Sequence, residues 1–324
     1  MSLLEITPNG LYCGAGEFYI DPWGPAERAV LTHAHAAHGR AAGSYLVAKP
    51  GERLVRALLR PEALIECVDY GGPITIGPVR VSLHPSGHIL GSAQVRLERA
   101  GEVWVFSGHY KLAHDPTCDP FEPLVCHTFV TEATYGLPIF RWRPDAEVRD
   151  TIHSWWRANQ QAGRVSLLFA HPIGKAQRLL ALLDSSIGPI YCHEAVESVN
   201  RLYREHGIEL PPASAANAIP YPGSLILAPP SANGSAWAKR FGPASNALAS
   251  GWMRIRGTRR RRSLDRGFAF SDHADWPALL RAVEATRAEA VCVTGGFRGA
   301  MVRWIEEHGG AAFALEGQWE EAEP

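Results

Sequence analysis

The chain has 324 residues, with 32 Lys and Arg against 33 Asp and Glu and 46% hydrophobic residues, enough for two domains or one large α/β domain. The near-neutral charge excludes recruitment of a polyanion by a global field, so any such partner needs a local basic patch. No apolar run approaches the roughly 20 residues of a membrane span and no basic leader precedes an apolar stretch, and six scattered cysteines without a C-x-x-C pair exclude a disulfide framework or zinc ribbon, so we expect a cytoplasmic protein with reduced thiols and no membrane association.

From Met1 to about Thr134 the pattern is short β-like runs broken by Gly and Pro: Gly10 to Ile20, Ala29 to Thr32, Val79 to Leu83, Ala93 to Glu98, Val103 to Ser107 and Thr128 to Thr131. Several end in a His or an acid, which puts polar groups on loops at one sheet edge. From Asp145 to Ala162 the spacing of Val148, Ile152, Trp155 and Trp156 predicts a helix ending at Gly163. A buried strand at Val165 to Ala170, a helix at Ala176 to Leu183, a strand at Pro189 to Cys192, a helix at Glu194 to Glu205 and a strand at Leu225 to Ala228 follow. This alternation predicts an inserted parallel-sheet subdomain. Next comes a basic stretch, Arg254, Arg256, the run Arg259, Arg260, Arg261 and Arg262, and then Arg266. It reads either as a solvated loop or as a set of phosphate contacts. The chain then returns with a strand at Phe268 to Phe270, a helix at Trp276 to Ala288, a strand at Ala290 to Val293 and a helix at Gly299 to Glu307.

The chemistry is concentrated in histidines on loops after these strands. His33, His35 and His38 occupy i, i+2 and i+5 in one loop, so His33 and His35 can reach one cation and His38 can face a neighbouring position. His88 sits in the Gly-rich turn Ser86-Gly87-His88, and His109 in Ser107-Gly108-His109. Neutral imidazoles favour zinc and other borderline metals over magnesium. Asp21 is either an acceptor that orients one of these rings or a turn-forming residue before Pro22. Glu132 ends a strand and His273 lies in Ser271-Asp272-His273-Ala274-Asp275; a carboxylate that orients a histidine would make a general acid, and the alternative is that each is an ordinary loop residue.

The succession H-x-H-x-x-H, S-G-H-x-x-G-S from Ser86 to Ser92, S-G-H-Y-K, T-E-A-T-Y-G-L-P and F-x-F-S-D-H-A-D-W resembles the β-CASP branch of metallo-β-lactamase-fold nucleases. More narrowly it is similar to the bacterial ligase-associated DNA-damage-response exonucleases. Thr131 to Trp142, Gly174 to Leu179 and Gly267 to Trp276 carry the most specific matches, and the likeness spans the whole chain. The resemblance implies an αββα sandwich with an inserted α/β cap, the active site lying between them. The corresponding expectation is residues 1–144 and 251–324 for the sandwich and 145–250 for the cap. It also implies phosphodiester hydrolysis at a two-metal centre, with His33, His35 and His88 on the first metal, His38 on the second, and Glu132 with His273 assisting the leaving group. DNA, as single strands or ends, would be the substrate, and a DNA ligase and helicase repair system the context. Lys175, in the Gly174 match, would join Arg254, Arg256 and Arg259 to Arg262 in holding nucleic acid; Arg141, Trp142 and Arg143 are either substrate contacts or a packing patch.

Three positions depart from the family's pattern. Ala37 replaces the Asp of H-x-H-x-D-H, His109 replaces the bridging Asp of S-G-D-Y, and Gly295 stands where the last histidine ligand falls. All three losses fall on one metal position. We therefore expect a single divalent metal, zinc or manganese, on His33, His35 and His88, with His109 either a fourth ligand that closes the site or swung away to leave a position for water. The alternative is a catalytically inactive paralogue that binds nucleic acid or a repair partner and keeps a structural metal. A small-ester hydrolase on the same fold fits the cap sequence less well.

Overall fold

A computed structural model describes residues 2–37, 41–216, 222–255 and 263–319. His38, Arg256 and Arg259 to Arg262 lie outside the described residues. The chain forms two compact units, residues Met1–Phe140 with His273–Pro324, and Arg141–Asp272.

The first unit opens with β1 (Glu5–Thr7), β2 (Gly10–Cys13), β3 (Phe18–Ile20), β4 (Ala26–Val30), β5 (Ala42–Ala48), helix α1 (Glu52–Arg56) and β6 (Leu64–Val68). The six strands form one sheet in sequence order, antiparallel up to β3 and parallel from β3 to β6. The expected run from Gly10 to Ile20 folds as a hairpin, because Gly14 and Gly16 break it into β2 and β3. A second sheet begins with β7 (Ile74–Ile76), β8 (Val79–Pro85), β9 (Ala93–Arg99), β10 (Glu102–Phe106) and β11 (Thr128–Glu132). It is antiparallel from β7 to β10 and then turns parallel. The two sheets share one core: Leu11, Phe18, Ile20, Val30 and Leu46 from the first pack with Val81, Val95, Leu97, Phe106 and Val130 from the second. The alternation of apolar residues along these strands puts their inward faces in that core.

The second unit runs through α2 (Asp145–Gln161), β12 (Val165–Phe169), α3 (Lys175–Leu182), β13 (Ile190–Cys192), α4 (Glu194–Glu205), β14 (Ser214–Ala215), β15 (Leu225–Ala228), α5 (Ala236–Lys239), β16 (Ala244–Ala249) and β17 (Arg266–Phe268). Its sheet is parallel throughout, in the order β14-β13-β15-β12-β16-β17. Both faces are covered, as a parallel sheet requires. Leu168, Leu225 and Leu227 pack on one side with Ile152, Trp156 and Leu179, whereas Leu167, Phe169 and Ile226 pack on the other with Ala238 and Phe241. Both ends of the second unit lie outside the expected 145–250: it starts at Arg141, and the pairing of β17 with β16 from Ala247 to Ala249 carries it to Asp272.

The chain re-enters the first unit at His273 and continues with α6 (Trp276–Thr286), β18 (Ala290–Thr294), α7 (Arg298–Glu307) and β19 (Ala311–Ala314). Asp275 caps α6 by accepting from Ala278 N, with Pro277 in the first turn. β18 and β19 extend the second sheet parallel to β11. The helices cover its outer face through Trp276, Leu279, Met301 and Ile305.

Candidate metal centre

Parallel strands β10, β11 and β18 lie side by side, so their carboxyl ends open on the same edge. That edge is where open α/β sheets present ligand-binding groups. His109 follows β10, Glu132 is the last residue of β11, and Gly295 follows β18. The loops after β4 and β8 bring His33, His35 and His88 to the same place, and the backbone joins these loops where Ala93 N donates to Thr32 O at 2.7 Å. His33 and His35 lie at the start of a short 3-10 turn, Ala34–Ala37.

Each ring of His33, His35 and His88 offers a nitrogen, and the three lie within 4.8 Å of one another. His88 Nε2 is 3.4 Å from His35 Nδ1. Two nitrogen donors on a tetrahedral zinc, each at about 2.05 Å, stand roughly 3.3 to 3.4 Å apart, so this spacing suits a shared cation. Burial, followed by the neighbouring His109, His88, His35 and His273, holds the His33 pKa well below its ordinary value. The ring is therefore neutral and able to donate a lone pair. The donor set fits a divalent metal ion, and nitrogen ligands favour a borderline one.

His33 is oriented by a chain of hydrogen bonds that starts at Asp21. Thr32 N donates to Asp21 Oδ1 at 2.8 Å, Thr32 Oγ1 donates to Asp21 Oδ2 at 2.6 Å, and His33 Nδ1 lies 2.7 Å from the same hydroxyl oxygen. With the hydroxyl proton given to Asp21, its oxygen accepts from His33 Nδ1–H and leaves Nε2 for a cation. Asp21 thus acts on the ring through Thr32. The sequence reading missed Thr32; a hydroxyl residue directly before H-x-H at a strand end was the available signal.

The loop carrying His88 is fixed from within. Ser92 Oγ accepts from His88 N and Ile89 N, both at 3.1 Å, and from Ser86 Oγ at 2.8 Å. Two glycines let it sit down on its neighbours. Gly87 has φ +74°, and a Cβ there would lie 2.2 Å from Lys111 O. Gly91 has φ +73°, and a Cβ there would lie 2.0 Å from Gly51 Cα. The serines and glycines of S-G-H-x-x-G-S are the scaffold of its histidine.

Glu132 and His273 form a buried pair, with His273 Nδ1 at 2.9 and 3.1 Å from the two carboxylate oxygens. Tyr110 N donates to Oε1 at 3.1 Å, and the Thr134 hydroxyl donates to Oε2. Burial pushes the Glu132 carboxyl up, but attraction to His273 and His109 and the hydrogen bonds from His273 and Thr134 outweigh it, bringing the carboxyl down to about 2. It stays ionised and fixes the His273 tautomer, leaving Nε2 for other work. Neither Tyr110 nor Thr134 stood out in the sequence.

His109 stands among these rings. Its ring centroid is 4.9 Å from that of His33, 5.3 Å from His88 and 4.5 Å from His273. Its donor nitrogen groups with those of His88 and His273; among the described residues no group unites it with His33, His35 and His88 together. Gly295 and His109 border a cavity of about 40 Å3 with Asp21, His33, Glu132 and Trp319. Ala37 is buried and brings no donor. A Cβ at Gly295 would lie 3.5 Å from the Trp319 Cβ, and Trp319 packs edge-on against Trp23.

Lys175, expected to hold nucleic acid, is largely buried and pairs with Asp272 at 3.1 Å, which neutralises it locally. Arg178, one turn on, is fully buried on Asp145 and the Ser271 carbonyl. Arg254 and Arg266 are exposed in the second unit, as are Arg141 and Arg143. No helix among the described residues is long and apolar enough to cross a membrane.

No protein-family model matches the chain. Among curated proteins, a probable DNA ligase of Opitutus terrae is 29% identical over 310 residues, 95% of this chain and 30% of that protein. Endoribonuclease ysh-1 of Neurospora crassa is 32% identical over 133 residues, 40% of this chain and 15% of its own length. The cleavage and polyadenylation specificity factor subunit 3-I of Arabidopsis thaliana is 31% identical over 127 residues, 37% of this chain and 17% of its own. The chain spans less than a third of the length of these relatives.

Proposed function

We propose that the chain is a nuclease of the β-CASP branch of the metallo-β-lactamase fold, a reading supported by its likeness to a probable DNA ligase and to endoribonucleases, and that it acts as a metal-dependent phosphodiesterase of DNA-repair type, trimming single-stranded DNA from an end with one divalent cation. The observation that carries this reading is the His33, His35 and His88 donor set standing beside the hydrogen-bonded Glu132 and His273 pair. The ring centroids of His88 and His273 are 4.7 Å apart, so both halves of the chemistry meet over one phosphodiester.

His33, His35 and His88 hold the cation, zinc or manganese. When bound there it would polarise a phosphate oxygen and lower the pKa of a water molecule. Glu132 positions His273 by accepting from Nδ1, and His273 Nε2 hands a proton to the departing oxygen. Asp21 and Thr32 keep His33 in the tautomer that binds. The single-cation reading is supported by positions 37, 109 and 295, where Ala37 and Gly295 supply no donor and the His109 nitrogen groups with those of His88 and His273. The exposed Arg254, with Arg256 and Arg259 to Arg262 beyond the described residues, supplies contacts to the phosphate backbone. DNA is favoured over RNA because the relative whose name says DNA ligase aligns over nearly the whole chain, whereas the endoribonucleases align over two fifths or less. The same relative supports a partnership with a DNA ligase.

The test combines metal analysis with cleavage of end-labelled single-stranded DNA. One equivalent of metal per chain and cleavage abolished by His88→Ala are expected. Binding of DNA without cleavage in zinc and in manganese would overturn the enzymatic reading in favour of a binding paralogue, and two equivalents would overturn the single-cation one.

A further inference from the structure

His109 has no part in the reaction proposed above, yet the fold places it with care. It leaves β10 beside Gly108, whose Cα approaches Thr32 so closely that a Cβ would meet the Thr32 side chain at 2.9 Å. Its donor nitrogen then lies within 4.8 Å of those of His88 and His273. This second trio shares His88 with the trio His33, His35 and His88. From this overlap we propose that the centre holds one cation in either of two three-histidine sets, His33-His35-His88 or His88-His109-His273, with His88 the common ligand.

Each set carries its own orienting carboxylate. Asp21 reaches the first through Thr32 and His33, and Glu132 reaches the second directly at His273 Nδ1. A carboxylate behind an imidazole fixes the tautomer, strengthens the donor and brings negative charge close to the cation. A neutral imidazole has one lone pair, so His88 serves one set at a time. The stoichiometry is therefore one, although two positions exist. A carboxylate at position 109 has two oxygens and can touch two cations together; a histidine there cannot, so the replacement exchanges a bridge for a second berth.

The two positions differ in chemistry. With the cation on the first set, His273 Nε2 can carry the proton for a leaving oxygen. With the cation on the second set Nε2 has lost that proton and ligates instead, and the proton-transfer step stops. The second position is thus a resting state, and movement between the positions is a swing about His88.

This inference rests on the first set being a metal site, as proposed above. It is tested on the full chain by calorimetric titration with Zn2+ and by the visible absorption of bound Co2+. Wild type binds one equivalent and His88→Ala none. His35→Ala still binds one equivalent, with a changed Co2+ spectrum, because the second set survives. His35→Ala combined with His109→Ala then loses more than about 100-fold in affinity, beyond what loss of a merely orienting residue produces. His33→Asn interrupts the same first set and replaces His35→Ala should that variant not fold, as judged by its far-ultraviolet circular dichroism. If His35→Ala binds no better than His88→Ala, or if adding His109→Ala changes nothing, the second position is overturned while the first stands. If wild type binds no metal, both fall together.

Discussion

Replacing Glu132 by glutamine in the metal-free protein probes the network that holds His273. The carboxylate receives donors on both oxygens: Tyr110 N and His273 Nδ1 at 3.1 Å on Oε1, the Thr134 hydroxyl and His273 Nδ1 at 2.9 Å on Oε2. Glutamine keeps the shape but offers one acceptor oxygen and an amide that donates. Its best fit leaves the oxygen on Tyr110 and turns the amide to Thr134, whose hydroxyl reverses to accept. The shorter bond from His273 is lost together with the charge. One charge-assisted hydrogen bond in a buried site corresponds to about 1.5–3 kcal/mol, and that is the expected fall in unfolding free energy at pH 7, read by urea denaturation. The sign of the pH dependence follows from the carboxyl standing at about 2 when folded against 4.5 ordinarily. A depressed carboxyl stabilises the fold fully above its ordinary value and loses that contribution as pH falls from there toward 2. The gap between wild type and variant is therefore constant from pH 7 down to about 5 and narrows below it. A gap under about 0.5 kcal/mol at pH 7, or one unchanged between pH 7 and pH 3, would refute the reasoning.

Three further outcomes are expected. Thr32→Val removes the hydroxyl between Asp21 and His33 at nearly constant volume, and zinc affinity measured by calorimetry should fall about 10- to 100-fold; a change of less than threefold would show that Thr32 does not orient the ligand. Gly295→His has room for its Cβ but must adopt φ +58° beside Trp319, so it should lower stability by about 1–3 kcal/mol in urea, and a neutral result would contradict the strain. Lys175→Ala leaves Asp272 buried without its ammonium partner and should cost about 3 kcal/mol or more. A stable variant whose DNA binding instead becomes less salt-dependent would return Lys175 to the phosphate contacts.

Much of this architecture was legible because its signals are local. The helix of α2, the strands β8 to β12 and the histidine-bearing loops each declare themselves through periodicity or through Gly-rich punctuation. β16 did not: Ala-Ser-Asn-Ala-Leu-Ala has weak strand propensity, and only its place between β12 and β17 makes it a strand. The end of the second unit was hidden for the same reason, since β17 is assigned by a partner distant in sequence. In the site, residue types were readable and their grouping was not. His33 and His35 follow from spacing and His88 joins them only through the family resemblance, whereas the grouping of His109 with His88 and His273 depends on how the strand ends lie in the sheet. Thr32, Tyr110 and Thr134 act by hydrogen bonds that leave no pattern in a sequence.

The glycines of the His88 loop bear on how chains like this one are found. Position 37 is alanine and position 295 glycine where the resemblance puts a ligand, so part of the ligand pattern is lost while the loop pattern is kept. Gly87 and Gly91 answer to a different constraint: each is pressed against backbone, Lys111 O and Gly51 Cα, and any side chain there must displace main chain whether or not a metal is bound. A fingerprint built on backbone crowding would gather active and silent members alike, and leave the histidines to sort them.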